Sequence, residues 1–333
     1  MFTRPDALRD ADIVSALADG WGLRAQGVDY VAVGYGSHHW NVTGEADRWF
    51  VSVDDLEARR RDATETRRDA ARRLSAALTV AGSLCDAGLD FVVAPTSTLN
   101  GANLHPIDDR LVLALYPYID GEVHAYGPYP TRPERLAVLD RVCRVHAVDP
   151  SVAGSAVADD FLIPRRDELV VTPADHELPW GPGPYAAPAR ARLGRHRESL
   201  WRVLEAYDEL VLQVAAQSGR WVLTHGEPHR GNTINTDEGV VLIDWDTALL
   251  APPERDLWAL IDEDSAIAAD YLQRTGRAVD GAAVQVYRRW WDLCEIALSV
   301  ADLRRPHRDT ADSRAAWDQL TNYLDPTRWS DVV

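Results

Sequence analysis

The sequence predicts an α+β protein with a small, sheet-rich N-terminal lobe, residues 1–117, and a larger helical C-terminal lobe, residues 118–333. Three observations carry that assignment. Short runs rich in valine and aromatics crowd the first third. Apolar residues recur at helical spacing through most of the remainder. A length of 333 residues also exceeds what one core of ordinary size holds. With 46% apolar and 26% charged residues the chain has the composition of a globular protein, which sets aside disorder, collagen-like repeats and coiled coil.

Residues 28–33 and 49–53 are expected to be antiparallel strands. Between them lie the glycine-containing stretch Gly34-Tyr35-Gly36-Ser37-His38-His39-Trp40 and then Asn41-Val42-Thr43, which leaves room for a third strand. From residue 54 to 88 the chain is charged and alanine-rich, with Leu74, Leu78, Ala81 and Leu84 at helical spacing and Gly88 as a stop signal. Its arginines, including Arg59, Arg60, Arg67 and Arg68, read as a solvated helix face. Residues 91–94 and 111–116 read as further strands around the turn Asn100-Gly101-Ala102-Asn103. The proline and glycine of Tyr116-Pro117-Tyr118-Ile119-Asp120-Gly121 end the strand pattern and mark the lobe boundary. Beyond it, residues 134–148 and 190–217 are expected to be helical, separated by a proline- and glycine-rich loop at 179–188. A compact strand-loop-hairpin unit follows Trp221, and from residue 255 onward the pattern is helical again.

Thirty-five basic against 52 acidic side chains leave a net charge of −17. A field of that sign repels phosphate backbones and anionic membranes, and favours a cationic small molecule as partner. No apolar run approaches the roughly 20 residues of a membrane-spanning helix, and the amino-terminal residues lack the apolar core of a signal peptide, so a cytoplasmic location is expected. Cys85, Cys143 and Cys294 are odd in number and far apart, a spacing that suggests neither a disulfide framework nor a zinc site. Lysine is absent from the sequence. Any chemistry that needs a lysine is thereby excluded.

Polar groups concentrate in Thr224-His225-Gly226-Glu227-Pro228-His229-Arg230-Gly231-Asn232 and in Val240-Val241-Leu242-Ile243-Asp244-Trp245-Asp246. Residues 233–235 and 240–243 form the arms of a hairpin around Asp237-Glu238-Gly239. With Glu238 as its midpoint, Asn232 and Asp244 emerge side by side at the open end. An amide oxygen and a carboxylate there, with Asp246 and Glu227 within loop reach, are hard donors of the kind Mg²⁺ uses when it also binds substrate phosphates. Zinc is disfavoured. His225 and His229 stand four apart, but Gly226 and Pro228 oppose the helix that a zinc-protease pair requires, and Cys294 alone cannot complete a deaminase site. The two histidines read instead as residues that brace the loop.

This segment resembles the catalytic loop and metal-binding hairpin of the aminoglycoside phosphotransferase family, small-molecule kinases with a protein-kinase-like two-lobe fold, whose pattern is H-G-D-x-H-x-x-N followed by a strand and I-D-W. Here it reads His225-Gly226-Glu227-Pro228-His229-Arg230-Gly231-Asn232, then Ile243-Asp244-Trp245-Asp246, then Ala251-Pro252-Pro253-Glu254-Arg255-Asp256-Leu257. The offset from Glu227 to Asn232 is that of the kinase catalytic loop.

The resemblance implies a phosphotransferase with an alcohol group as acceptor, using ATP or GTP and Mg²⁺. In that scheme Glu227, Asn232 and Asp244 are the catalytic residues: Glu227 accepts or orients the proton of the substrate hydroxyl, while Asn232 and Asp244 hold the metal with help from Asp246. Gly34, Gly36, Ser37 and His38 cover the nucleotide phosphates, the backbone of Tyr116, Tyr118 and Ile119 meets the base, and Asp256 braces the catalytic loop. The chain departs from the family pattern twice. Glu227 replaces an aspartate and is one methylene longer, and Ser52 stands where the phosphate-binding lysine of the strand is expected. Arg59, Arg60, Arg67, Arg68 and His38 are the candidates for supplying the missing charge.

An acidic chain suits a hydroxylated, cationic acceptor such as an aminoglycoside or related antibiotic, with antibiotic resistance as one role. A metabolic kinase for choline, homoserine or a sugar would use the same loop. A nucleotide-binding module impaired in catalysis by Ser52 and Glu227 is the third reading. Candidate substrate contacts are Asp262 and Glu263 in one acidic run, and Trp291, Asp292 and Glu295 in another segment. Trp291 and Glu295 share a helix face at i, i+4 and can receive an ammonium by ring and charge. The competing reading places Trp291 in the core and the acids in solvent.

Overall fold

The computed structural model describes residues 1–6, 8–154, 156–169 and 179–332. Its first elements are α1 (Asp10–Trp21), β1 (Gly27–Val31), β2 (Ser37–Thr43), β3 (Arg48–Asp55), α2 (Arg67–Asp86), β4 (His105–Pro106) and β5 (Leu111–Pro117). The strands pair antiparallel in the order β1-β2-β3-β5-β4. Because side chains alternate along a strand, the sheet has two faces to cover. On one, Trp40, Val42, Val51, Val53, Leu113 and Leu115 pack with Ile13, Ala16, Leu17 and Trp21 of α1. On the other, Val112 and Ala114 meet Leu74 and Leu78 of α2. Helix α2 is apolar on a further side, where Ala77, Val80, Ala81 and Leu84 pack with Leu223, Leu242 and Trp245. One helix thereby ties the sheet to the histidine- and aspartate-rich segment.

Several boundaries differ from the sequence-based expectation. The charged stretch after β3 is not helical from its start. The Asp55 carboxylate accepts from the Glu57 and Ala58 N–H groups, a turn that carries the chain off the sheet, and α2 begins only after Thr66, whose side chain forms a capping box with Asp69. Residues 91–94 form no strand: Val92 makes only an isolated parallel bridge to Leu242. Helix α1 went unforeseen, although Ile13, Ala16, Leu17 and Trp21 have amphipathic spacing.

The remaining elements are β6 (Glu122–Val123), α3 (Arg132–His146), α4 (Ala186–Arg195), α5 (Arg197–Ala215), β7 (Val222–Thr224), β8 (Thr233–Thr236), β9 (Gly239–Leu242), β10 (Leu249–Ala251), α6 (Glu254–Glu263), α7 (Ile267–Thr275), α8 (Gly281–Arg304) and α9 (Ala311–Tyr323). The helix expected over 190–217 is two helices broken at His196. The loop expected to reach residue 188 ends earlier, because Pro188 sits in the first turn of α4, where its missing N–H has no helical partner to lose.

The chain forms two compact units. One comprises Met1–Arg60, Thr66–Asp159 and Ser218–Asp280; the other comprises Arg61–Glu65, Asp160–Gln217 and Gly281–Val333. In the second unit α8 packs along α5 and α9 and buries Leu293, Ile296 and Val300. Among the described residues no helix is long and apolar enough to cross a membrane.

Candidate active site

Strand β7 is buried throughout and delivers the chain into the motif that starts at His225. Asp256, in the first turn of α6, holds that turn in place. Its carboxylate accepts the backbone N–H of His225 at 2.9 Å and of Gly226 at 2.5 Å, and lies 3.1 Å from Nε2 of His146. The Nδ1 of His146 in turn lies 2.9 Å from the Tyr271 hydroxyl. Burial alone would push Asp256 up, but the hydrogen bond and charge of His146, with His225 and Arg255, outweigh it and hold the carboxylate below its usual range.

Gly226 has φ of 102°, and a Cβ there would lie 2.3 Å from the Arg255 guanidinium. That guanidinium is fixed by the Thr224 hydroxyl at 3.0 Å and the Thr247 carbonyl at 2.9 Å, so the position requires glycine on both backbone and steric grounds. His225 is buried beneath the loop. Its Nε2 donates to the Ile243 carbonyl at 2.9 Å, its Nδ1 accepts the Glu227 N–H at 3.2 Å, and burial lowers its pKa, which suits a neutral bracing ring. Glu227 keeps its side chain partly exposed, with Oε2 3.7 Å from Nε2 of His229. The ring of Tyr126 stands edge-on to His229, with ring centroids 4.8 Å apart.

The hairpin of β8 and β9 turns on the two residues Asp237 and Glu238, not about Glu238 as a midpoint. Asn232 therefore lies opposite Ile243, whose N–H donates to the Asn232 carbonyl at 3.0 Å. A regular strand would send the next residue, Asp244, to the opposite face. Asp244 instead, two residues beyond the end of β9, takes a left-handed conformation with φ of 65°, which aspartate tolerates better than most residues. The Asn232 amide nitrogen donates to the Glu227 carbonyl at 3.1 Å. Burial first, then the neighbouring charges of Asp246 and Glu227, push Asp244 well above the ordinary carboxylate range. Burial would raise Asp246 too, but the charge and hydrogen bond of Arg59 hold it down.

Arg59 is the residue that sequence reasoning could not single out. Its Nε donates to Asp54 at 2.7 Å, and its Nη2 donates to Ser37 Oγ at 3.0 Å and to Asp246 at 2.5 Å. Ser37 Oγ itself donates to Asp54 at 2.6 Å. The other candidates lie elsewhere: Arg60 pairs with Glu57, Arg67 with Asp109 and Glu57, and Arg68 is exposed. Arg59 is also no part of a helix face, since it precedes α2.

The N-terminal residues expected at the nucleotide fall into two groups. Gly34 and Gly36 have φ of 69° and 81° in the loop between β1 and β2. Ser37 and Ser52 share a sheet face with Asp54, Ala114 and Tyr116, as the register Ser37↔Asp54, Ser52↔Ala114 and Phe50↔Tyr116 requires. The Tyr116 hydroxyl is pushed up by burial and then by Asp244, Asp54 and Asp246, which puts its side chain among the carboxylates. Tyr118 lies under the Arg48 guanidinium at 4.2 Å, and Ile119 is half-buried. His38 belongs to the other group. It shares the α1 face with Trp40, its Nδ1 is 3.3 Å from the Tyr30 hydroxyl, and strand alternation makes His39 the histidine opposite Ser52. His39 stacks on Phe50 with ring centroids 5.1 Å apart, and burial pushes its pKa down to about 3.

The expected substrate contacts are divided between the two compact units. In the first unit, the Glu263 carboxylate accepts the Tyr129 N–H at 3.0 Å, while Asp262 is exposed. In the second, Trp291 is buried and donates to the Tyr323 hydroxyl at 3.0 Å. Asp292 is buried as well, bonded to Arg328 at 2.7 Å and to the Trp329 indole N–H at 3.0 Å. Trp291 and Asp292 thus hold α8 to the chain's C-terminal segment, as the core reading of Trp291 anticipated. Glu295 is half-buried on α8.

Residues 29–290 match the model of APH, a phosphotransferase enzyme family. Protein StrN of Streptomyces griseus is 31% identical over 268 residues, which cover 79% of this chain and 80% of StrN. Among solved structures, spectinomycin phosphotransferase APH(9)-Ia in complex with ADP and spectinomycin has a TM-score of 0.71 at 15% identity, covering 98% of this chain and 99% of its own. Amicoumacin kinase hAmiN in complex with AMP-PNP, Ca²⁺ and Ami has a TM-score of 0.62 at 12% identity, covering 96% and 93%. At such identities the shared feature is the fold.

Proposed function

The chain belongs to the APH phosphotransferase enzyme family, and from that premise we propose that it transfers the terminal phosphoryl group of ATP or GTP to a hydroxyl of a small, cationic acceptor. Residues 1–117 serve as the nucleotide-binding lobe, and residues 118–333 carry the catalytic loop. The observation that supports this reading most directly is the tie between the loop and the end of the β8–β9 hairpin: the Asn232 side chain donates to the Glu227 carbonyl at 3.1 Å, and its own carbonyl accepts the N–H of Ile243, next to Asp244, at 3.0 Å.

Mg²⁺ fits this donor set. Asp244, Asp246 and the amide oxygen of Asn232 are hard oxygen donors that would hold Mg²⁺ together with oxygens of the nucleotide phosphates. When bound, Mg²⁺ neutralises charge on the transferring phosphoryl group. The chain's own part is positional. Asp256 and Gly226 fix the loop, Glu227 takes the acceptor's hydroxyl proton as the acceptor oxygen bonds to the γ-phosphorus, and the bond from that phosphorus to the β-phosphate oxygen breaks, which leaves the nucleoside diphosphate.

A cationic acceptor is supported by the net charge of −17 and by the partly exposed carboxylate of Glu227. The named substrates of the fold relatives, spectinomycin and amicoumacin, make antibiotics the first compounds to screen. The test is to titrate the protein with ATP and GTP, with and without Mg²⁺, and then screen aminoglycosides, peptide antibiotics, choline, homoserine and sugars for acceptor-dependent ADP release. Failure to bind either nucleotide in a Mg²⁺-dependent way sinks the reading.

A further inference from the structure

We propose that Arg59 is the cation that binds the nucleotide phosphates, delivered from the loop after β3 in place of a lysine on β3 itself. This rests on the phosphotransferase reading above. The chain contains no lysine, and the strand position that faces the site is Ser52, a side chain too short and uncharged to reach a phosphate. Ser52 lies on the same sheet face as Ser37 and Asp54.

Arg59 reaches that sheet face, where it bonds Ser37 and Asp54, and is held at both ends. Its backbone carbonyl accepts from Arg73 at 2.7 Å and its N–H donates to the Asp55 carbonyl at 2.9 Å. Its guanidinium is fixed by Asp54, Ser37 and Asp246, and its side chain is 15% exposed. Among the described residues, Nη1 makes no bond to the protein, so one edge of the guanidinium remains for a ligand. Such a fork matches phosphate oxygens in pairs, where a lysine offers a point charge. Burial would lower its pKa, but Asp246 and Asp54 raise it overall, so the guanidinium stays charged. Asp54 is the positioning residue, supplied by the same strand two residues beyond Ser52.

The experiment compares ADP and adenosine binding, by competition against a fluorescent nucleotide, in the wild type, Arg59→Met, Arg59→Lys and the double variant Ser52→Lys/Arg59→Met. Losing a charge-assisted hydrogen bond predicts that Arg59→Met binds ADP roughly 10- to 100-fold more weakly. Adenosine affinity stays within about twofold, because adenosine offers no phosphate. Arg59→Lys keeps the charge that Asp54 and Asp246 need and loses the fork, so its ADP affinity falls by roughly three- to tenfold. The double variant regains ADP affinity over Arg59→Met. If Arg59→Met does not fold, Arg59→Lys decides the matter by the same ADP-to-adenosine comparison. ADP binding that neither single variant weakens, or an equal loss of ADP and adenosine, overturns the proposal while the phosphotransferase reading stands. A wild type that binds no nucleotide overturns both.

Discussion

Replacing Asp256 by alanine removes the acceptor of three buried donors at once: the His225 and Gly226 N–H groups and the His146 ring. Each buried donor left without a partner costs about 1–3 kcal/mol, and relaxation recovers part of that, so a loss of about 4 kcal/mol is expected, within the range for breaking a buried charged pair. With an unfolding entropy of about 2.1 cal/mol/K per residue, that loss lowers Tm by roughly 6 °C for a chain of this length. Glu227 follows Gly226 directly, so loosening the turn also misplaces it; a shift of about 1 Å predicts a drop in turnover on the order of 10²-fold. The sign of the pH dependence follows from the lowered pKa of Asp256. Its stabilisation is complete above the unfolded value of about 3.9 and is lost as pH falls through the lower folded value. Thermal melts of wild type and Asp256→Asn should thus differ fully at pH 7 and converge below about pH 4. An Asp256→Ala variant that melts within about 1 °C of the wild type, or a wild-type-to-Asn gap that stays constant into acid, refutes the bracing role.

Glu227→Gln should lower kcat by roughly 10²- to 10⁴-fold with nucleotide affinity unchanged, as steady-state kinetics and titration will show. Unchanged kcat would remove Glu227 from the reaction. Asp244→Ala should abolish the Mg²⁺ dependence of ATP binding while affinity in EDTA stays the same. Gly226→Ala, which forces a Cβ against Arg255 and disfavours φ of 102°, should cost about 3 kcal/mol or more in denaturant melts. His39, held neutral down to about pH 3, predicts full stability above the unfolded histidine value of about 6.5 and declining stability as pH falls from there. His39→Gln should flatten that limb of the Tm profile, and an unaltered limb would contradict it.

The motif from His225 to Asn232 and the pair Asp244 and Asp246 were legible because their chemistry lies in close sequence spacing, and β8 and β9 announce their turn by local composition. The same local logic misplaced the hairpin midpoint, since Asp244 reaches the site through a left-handed backbone rather than through strand alternation. It also chose His38 over His39. Only the cross-strand pairing of β2 with β3 shows which of two adjacent histidines shares a face with Ser52. Trp291 and Asp292 offered a ring and a charge, but which way α8 presents them depends on Tyr323, Arg328 and Trp329, far along the chain.

The sequence by itself determined the α+β class, the family, the acidic charge, the carboxylates of the catalytic hairpin and the absence of lysine, because each is written in composition or in spacings of a few residues. The tertiary structure alone decided that Arg59, one of several arginines near α2, meets Asp246. That contact spans 187 positions, and the turn at Asp55 and the packing of α2 together bring it about. No local pattern encodes such a pairing, since its energy appears only when the two ends are already close.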